Sequence, residues 1–152
     1  MKSSGPLKHF LIVFVIASVL YAVFFYGIEH RRTVNGPWQA TFANRVAGVP
    51  ELIVCHPKLK ISNLKIDFPE EKTPLSDFNS LIIFDTPRPV PFPVPFGQCI
   101  FMDTTFLPGT VTFNLFGHEI ELLPRVLIID KKEFPWQSDT TLAVTRSGVA
   151  PK

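Results

Sequence analysis

Two hydrophobic patterns divide the chain. From Phe10 to Ile28 the stretch FLIVFVIASVLYAVFFYGI carries no charge over 19 residues. As a helix rising 1.5 Å per residue it spans roughly 28 Å, about the hydrocarbon thickness of a bilayer. Beyond Arg32 the period falls to two. Trp38, Ala40 and Phe42 alternate with Gln39, Thr41 and Ala43; Leu59 and Ile61 alternate with lysines and a serine; Leu64, Ile66 and Phe68 enclose Lys65 and Asp67. Such alternation predicts half-buried strands. Ser62-Asn63 breaks the phase between two of these runs, which predicts a bulge or a bend. ELIVCH and SLIIFD are continuous apolar runs bounded by turn residues and predict strands buried on both faces. TVTFNLFGHEIELL predicts a hairpin with Val111, Phe113, Leu115, Ile120 and Leu122 inward and a turn at Phe116-Gly117 or Gly117-His118. RVLIID and TLAV supply two more strands.

Eight or nine short strands without an amphipathic helix imply an all-β sandwich, or a related barrel, behind a single N-terminal transmembrane helix. The divisions read as a short tail over 1–9, the transmembrane helix over 10–28, the β-domain over 33–145 and a flexible tail over 146–152. Composition adds a constraint. Pro and Phe each supply 15 of 152 residues and the charged fraction is only 18%, so turns and apolar surface are both abundant while disorder is disfavoured. The net charge of +2 is spread without a basic run, which argues against a nucleic-acid partner.

The apolar helix ends in Gly27-Ile28-Glu29-His30-Arg31-Arg32 and not in a small-x-small cleavage site, so it is expected to stay as an anchor. Lys2 and Lys8 flank one end and Arg31 and Arg32 the other. The near-tie is tipped by the α-amino charge and the acid-free head, which place the N-terminus inside and the β-domain in the periplasm or another extracytoplasmic space. Tyr21, Phe24, Phe25 and Tyr26 suit an interfacial aromatic belt, and Ser18 and Ala22 form a small-xxx-small pair that would admit another helix.

TPRPVPFPVPFG, residues 86–97, places a proline at every second position from Pro87 to Pro95. In a strand these prolines strip donors from one edge only, so the run would pair on one side and refuse a strand on the other. Val90, Phe92, Val94 and Phe96 would share the opposite face, an apolar partner-docking surface on a stiff bar of roughly 30 Å.

Candidate chemistry is sparse. Nucleotide-binding glycine loops and nucleophile elbows are missing. His118-Glu119 begins like a zinc-protease motif, but position 122 is Leu and the local pattern is a strand. Cys55 and His56 are adjacent and point to opposite strand faces. Glu119 and Glu121 share a face, as an acid/base pair would, yet Ile120 and Leu122 mark that face as the solvated one. Asp67, Asp85, Asp103 and Asp130 fall at strand ends, without calcium-loop spacing. Cys55 and Cys99 could form a disulfide in an oxidising compartment. No catalytic residue, metal or cofactor is expected. The reading is a non-catalytic, single-pass accessory or stabilising subunit of a larger membrane complex, with the lipid bilayer and integral-membrane proteins as partners. The alternative is a membrane-tethered β-module that binds a lipid or another apolar ligand.

Overall fold

A computed structural model describes residues 5–45, 48–73 and 78–151. Its first element, helix α1 (Gly5–Thr33), runs 29 residues and buries none of them. It is long and apolar enough to cross a membrane. His30, Arg31 and Arg32 occupy its last turn, where cations complement the unpaired carbonyls.

Among the described residues twelve strands follow: β1 (Trp38–Asn44), β2 (Pro50–His56), β3 (Ile61–Asp67), β4 (Asn79–Phe84), β5 (Phe92–Val94), β6 (Gly97–Asp103), β7 (Thr110–Leu115), β8 (His118–Leu122), β9 (Leu127–Ile129), β10 (Lys132–Phe134), β11 (Thr141–Thr145) and β12 (Gly148–Pro151). They form two six-stranded sheets, ordered β12-β11-β3-β2-β1-β4 and β10-β9-β8-β7-β6-β5. The second is an antiparallel meander, while the first carries one parallel pair, β3 with β11. The sheets pack as a sandwich. Trp38, Ala40, Phe42, Leu52, Val54, Leu64 and Ile66 turn inward from the first, and meet Val111, Phe113, Leu115, Ile120, Leu122, Leu127 and Ile129 from the second. Phe113 meets Phe42 and Phe84 edge-on at 5.9 and 5.4 Å, a geometry that aromatic quadrupoles favour.

Local expectations are met in detail. Val54 pairs with Leu64 but His56 pairs with Ile61, so Ser62 and Asn63 lie opposite the single residue Cys55, a bulge. The hairpin turns at Phe116-Gly117, whose φ values of 53° and 87° are both positive, as a two-residue type I′ turn requires. Glu119 lies on the solvated side of β8 and Glu121 is half-exposed beside it.

Three expectations are corrected. Leu59 belongs to a 3-10 turn, Pro57–Leu59, and not to a strand, because proline opens it and the His56 ring accepts the Leu59 N–H. SLIIFD is not central: β4 pairs only with β1 and closes the first sheet, leaving Leu81 57% and Ile83 40% exposed. The segment read as a flexible tail carries β12, which pairs with β11 through residues 148–151. Strand β6 shows no period-two pattern in the sequence because Ile100 is an extra residue between the pairs Cys99–Phe113 and Phe101–Thr112. Cys99 therefore points inward and both Ile100 and Phe101 outward, which erases the period of two.

Candidate functional site

The end of the sandwich next to α1 is built as a lock. Trp38, the first residue of β1, is fully buried and donates its Nε1–H to the Gly109 carbonyl at 3.1 Å. Its ring lies 5.1 Å from His56 and 5.1 Å from Trp136. His56 is also fully buried. Because its Nδ1 accepts the Leu59 N–H, its Nε2 carries the proton and donates to the Gly36 carbonyl at 3.1 Å. Lys58 reaches the Val34 carbonyl, and the Leu107 N–H donates to the Arg32 carbonyl at 2.8 Å. Carbonyls at the helix end and in the linker are thus satisfied by the domain, which fixes how the chain leaves α1. Gly109 is required in this lock: its φ is +69°, and a Cβ would meet the Asp103 carbonyl oxygen at 1.8 Å.

The proline run divides differently from its sequence pattern. Regular strand is confined to Phe92–Val94, since residues 85–91 must carry the chain from the edge of one sheet to the edge of the other. Within β5 the one-sided edge is realised: β5 pairs with β6 alone, and Pro93 has no N–H to offer a further strand. The four apolar residues do not form one outward face. Val94 is buried, Phe92 and Phe96 pack against the core, and only Val90 is exposed. Phe96 takes a positive φ of 71° and sets its ring among Phe42, Phe78 and Phe116 at 5.6 to 5.9 Å. The physical reason is the short β5–β6 turn, which rotates Phe96 under the distal end of the sandwich.

Edge strand β4 is the unguarded counterpart. It offers six residues, NSLIIF, with no proline or lysine among them, and among the described residues no strand pairs with its outer side. Long apolar edges of this kind accept a further strand. Its outward side chains Leu81 and Ile83 stand opposite Thr41 and Gln39 of β1, and Ile53 and Cys55 of β2 continue the two rows. No sequence pattern distinguishes this edge, because four consecutive apolar residues, Leu81 to Phe84, fit a central strand equally well.

The remaining candidate groups are dispersed or engaged. Cys55 lies on the outer face of the first sheet and Cys99 faces inward from the second, so they cannot meet and both are free thiols. Burial pushes the Cys99 thiol up to about 11, and its S–H donates to the Phe101 carbonyl at 3.5 Å. At pH 8 only about 0.1% of Cys99 is thiolate. A maleimide is expected to add once to the folded protein, at Cys55, and a second time only in denaturant; intact mass reads both steps. His118 is paired through Nδ1 with Asp130 at 2.7 Å, and Asp130 also accepts the Glu119 N–H. That carboxylate fastens two hairpins together. Glu51 and Asp67, opposite each other on β2 and β3, are bridged by Arg45 at 2.9 and 3.1 Å. Asp85 and Asp103 lie exposed at the end nearer α1, and the backbone N–H of Thr105 holds the Asp103 carboxyl below its ordinary value. Among the described residues no three His, Cys, Asp or Glu side chains gather as metal ligands would.

Ser18, Tyr21, Ala22, Phe24, Phe25 and Tyr26 all lie on the bare surface of α1, with Tyr21 and Phe25 stacked at 6.0 Å. No family model matches the sequence, and no curated protein or solved structure matches it significantly.

Proposed function

We propose that this chain is a non-catalytic, membrane-anchored accessory subunit that docks on an integral-membrane partner through strand addition at β4, with the helix as a second contact. The observation that carries the reading is the contrast between the two neighbouring edges. One is denied to further strands by proline, and the other carries four consecutive apolar residues, Leu81 to Phe84, with no strand beyond it among the described residues. A chain that blunts one edge and exposes the next has a directional surface, which suits recognition better than general stickiness. The bare α1, with its Ser18–Ala22 pair, supports a helix contact alongside. The acid-free head with Lys2 and Lys8 supports an extracytoplasmic domain. The lipid-binding alternative draws less support, since Phe42, Phe84 and Phe113 fill the space between the sheets where an apolar ligand would sit.

The test is a paired charge at the edge. Leu81→Lys with Ile83→Lys removes two exposed apolar contacts worth about 1 to 2 kcal/mol each. It also puts lysine where natural sheets use it to repel strands. Full-length protein purified in mild detergent should lose a stoichiometric membrane partner by at least about tenfold. The melting of the domain should change little, because both positions face solvent. Undiminished co-purification, or no stoichiometric partner with the unaltered chain, would rule the proposal out.

A further inference from the structure

The loop between β6 and β7 has a burial pattern that its own fold does not explain. Thr104, Leu107 and Pro108 are buried, whereas Thr105 and Phe106 form an exposed tip. Phe106 is 58% exposed, the largest exposure of any bulky apolar side chain outside α1 among the described residues. The tip is not loose. The Asp103 carboxylate accepts the Thr105 N–H at 2.9 Å, and the Leu107 N–H is bound to the Arg32 carbonyl. Phe106 is therefore presented at a set position beside the helix, and it lines a cleft of about 460 Å³ together with Ile28, Glu29 and Arg32.

That position can be placed in depth. The uncharged stretch of α1 ends at Ile28, and Glu29 to Thr33 continue the helix. At 1.5 Å per residue those five residues climb roughly 7.5 Å, through the headgroup layer. A ring beside Ile28 then sits at the boundary between acyl chains and headgroups, where aromatic side chains are favoured. Arg31, Arg32 and Lys58 lie at the level where phosphates would be, with Lys58 held against the Val34 carbonyl. Val34, 41% exposed, continues the apolar rim just past the helix. The cleft itself is mixed in charge, Arg32 against Glu29 and Asp103, so no anionic lipid is required.

From this we infer that the β6–β7 loop is a second membrane contact: the domain rests on the bilayer that α1 crosses, with Phe106 inserted at the acyl–headgroup boundary. The inference rests on the reading of α1 as a membrane anchor. The loop then acts as an outrigger that fixes the tilt of the sandwich, and hence the direction in which the β4 edge faces.

The test uses the full-length protein in phosphatidylcholine vesicles, with or without bromine on the acyl chains near the headgroup. Three tryptophan variants are compared after subtracting the emission of Trp38 and Trp136, which all share. Phe106→Trp should lose emission in brominated vesicles to an extent comparable with Tyr21→Trp in the helix. Glu119→Trp, on the far end of β8, should keep its emission. Quenching at Tyr21→Trp without quenching at Phe106→Trp would overturn the loop contact and leave the anchor standing. Quenching at Glu119→Trp would likewise overturn it, since the contact would not belong to this loop. No quenching at Tyr21→Trp would remove the anchor reading and the inference together.

Discussion

Trp38→Ala is expected to destabilise the β-domain by about 4 kcal/mol, in the range found when a large buried aromatic is removed. The side chain is fully buried, so the change leaves a cavity between the two sheets. It also removes the donor that holds the Gly109 carbonyl and one wall of the His56 site. Gly109 ends the loop that binds the helix terminus through Leu107, so the loss should spread along the junction. Limited proteolysis of the full-length variant should open first around residues 33–37 and 103–109. Trp38→Phe keeps most of the ring volume and gives up the N–H, which limits its loss to about 1 to 2 kcal/mol. Denaturant unfolding in detergent, followed by far-UV circular dichroism, measures both. Equal losses for Ala and Phe would mean that the hydrogen bond alone matters, and a loss under about 1 kcal/mol for Ala would contradict the packing described.

Phe96→Ser is expected to cost the domain about 3 kcal/mol or more, because the ring closes the distal aromatic cluster and the hydroxyl would enter apolar surroundings. Phe42, Phe78 and Phe116 all contact it. Val90→Ser, in the same proline run but exposed, should stay within about 0.5 kcal/mol. The pair separates two roles for the stretch. If Phe96 were a partner-docking residue, its replacement would spare domain melting and weaken co-purification. A fall in melting temperature of several degrees for Phe96→Ser, with Val90→Ser near the unaltered protein, identifies it as core. Similar melting for both would place the ring on the surface and return the run to the list of docking candidates.

What the sequence determined by itself is local. The uncharged run has the length of a single bilayer-spanning helix, and residues 10–28 do lie within the one helix α1. Alternation decides β1, β3, β7 and β8 and the inward set Trp38, Phe42, Val111, Phe113 and Ile120, because successive strand side chains must point to opposite faces. A phase break at Ser62-Asn63 and a turn around Gly117 are legible for the same reason, since each is set within a few residues; the structure decides for a bulge in the first case and for Phe116-Gly117 in the second. What only the tertiary structure decided depends on which strands are neighbours. SLIIFD reads as central from its composition, yet it is an edge because nothing pairs beyond it among the described residues, and that single fact creates the candidate docking surface. Phe96 leaves the face of Val90 because a tight turn rotates it, and Cys55 and Cys99 stay apart because Cys55 lies on the outer face of the first sheet while Cys99 points inward from the second. Phe106 has no signal in the chain at all. Its place beside Ile28 comes from a hydrogen bond between residues 75 positions apart, Leu107 and Arg32, and such long-range closure is decided by the free energy of the whole fold and not by any window of sequence.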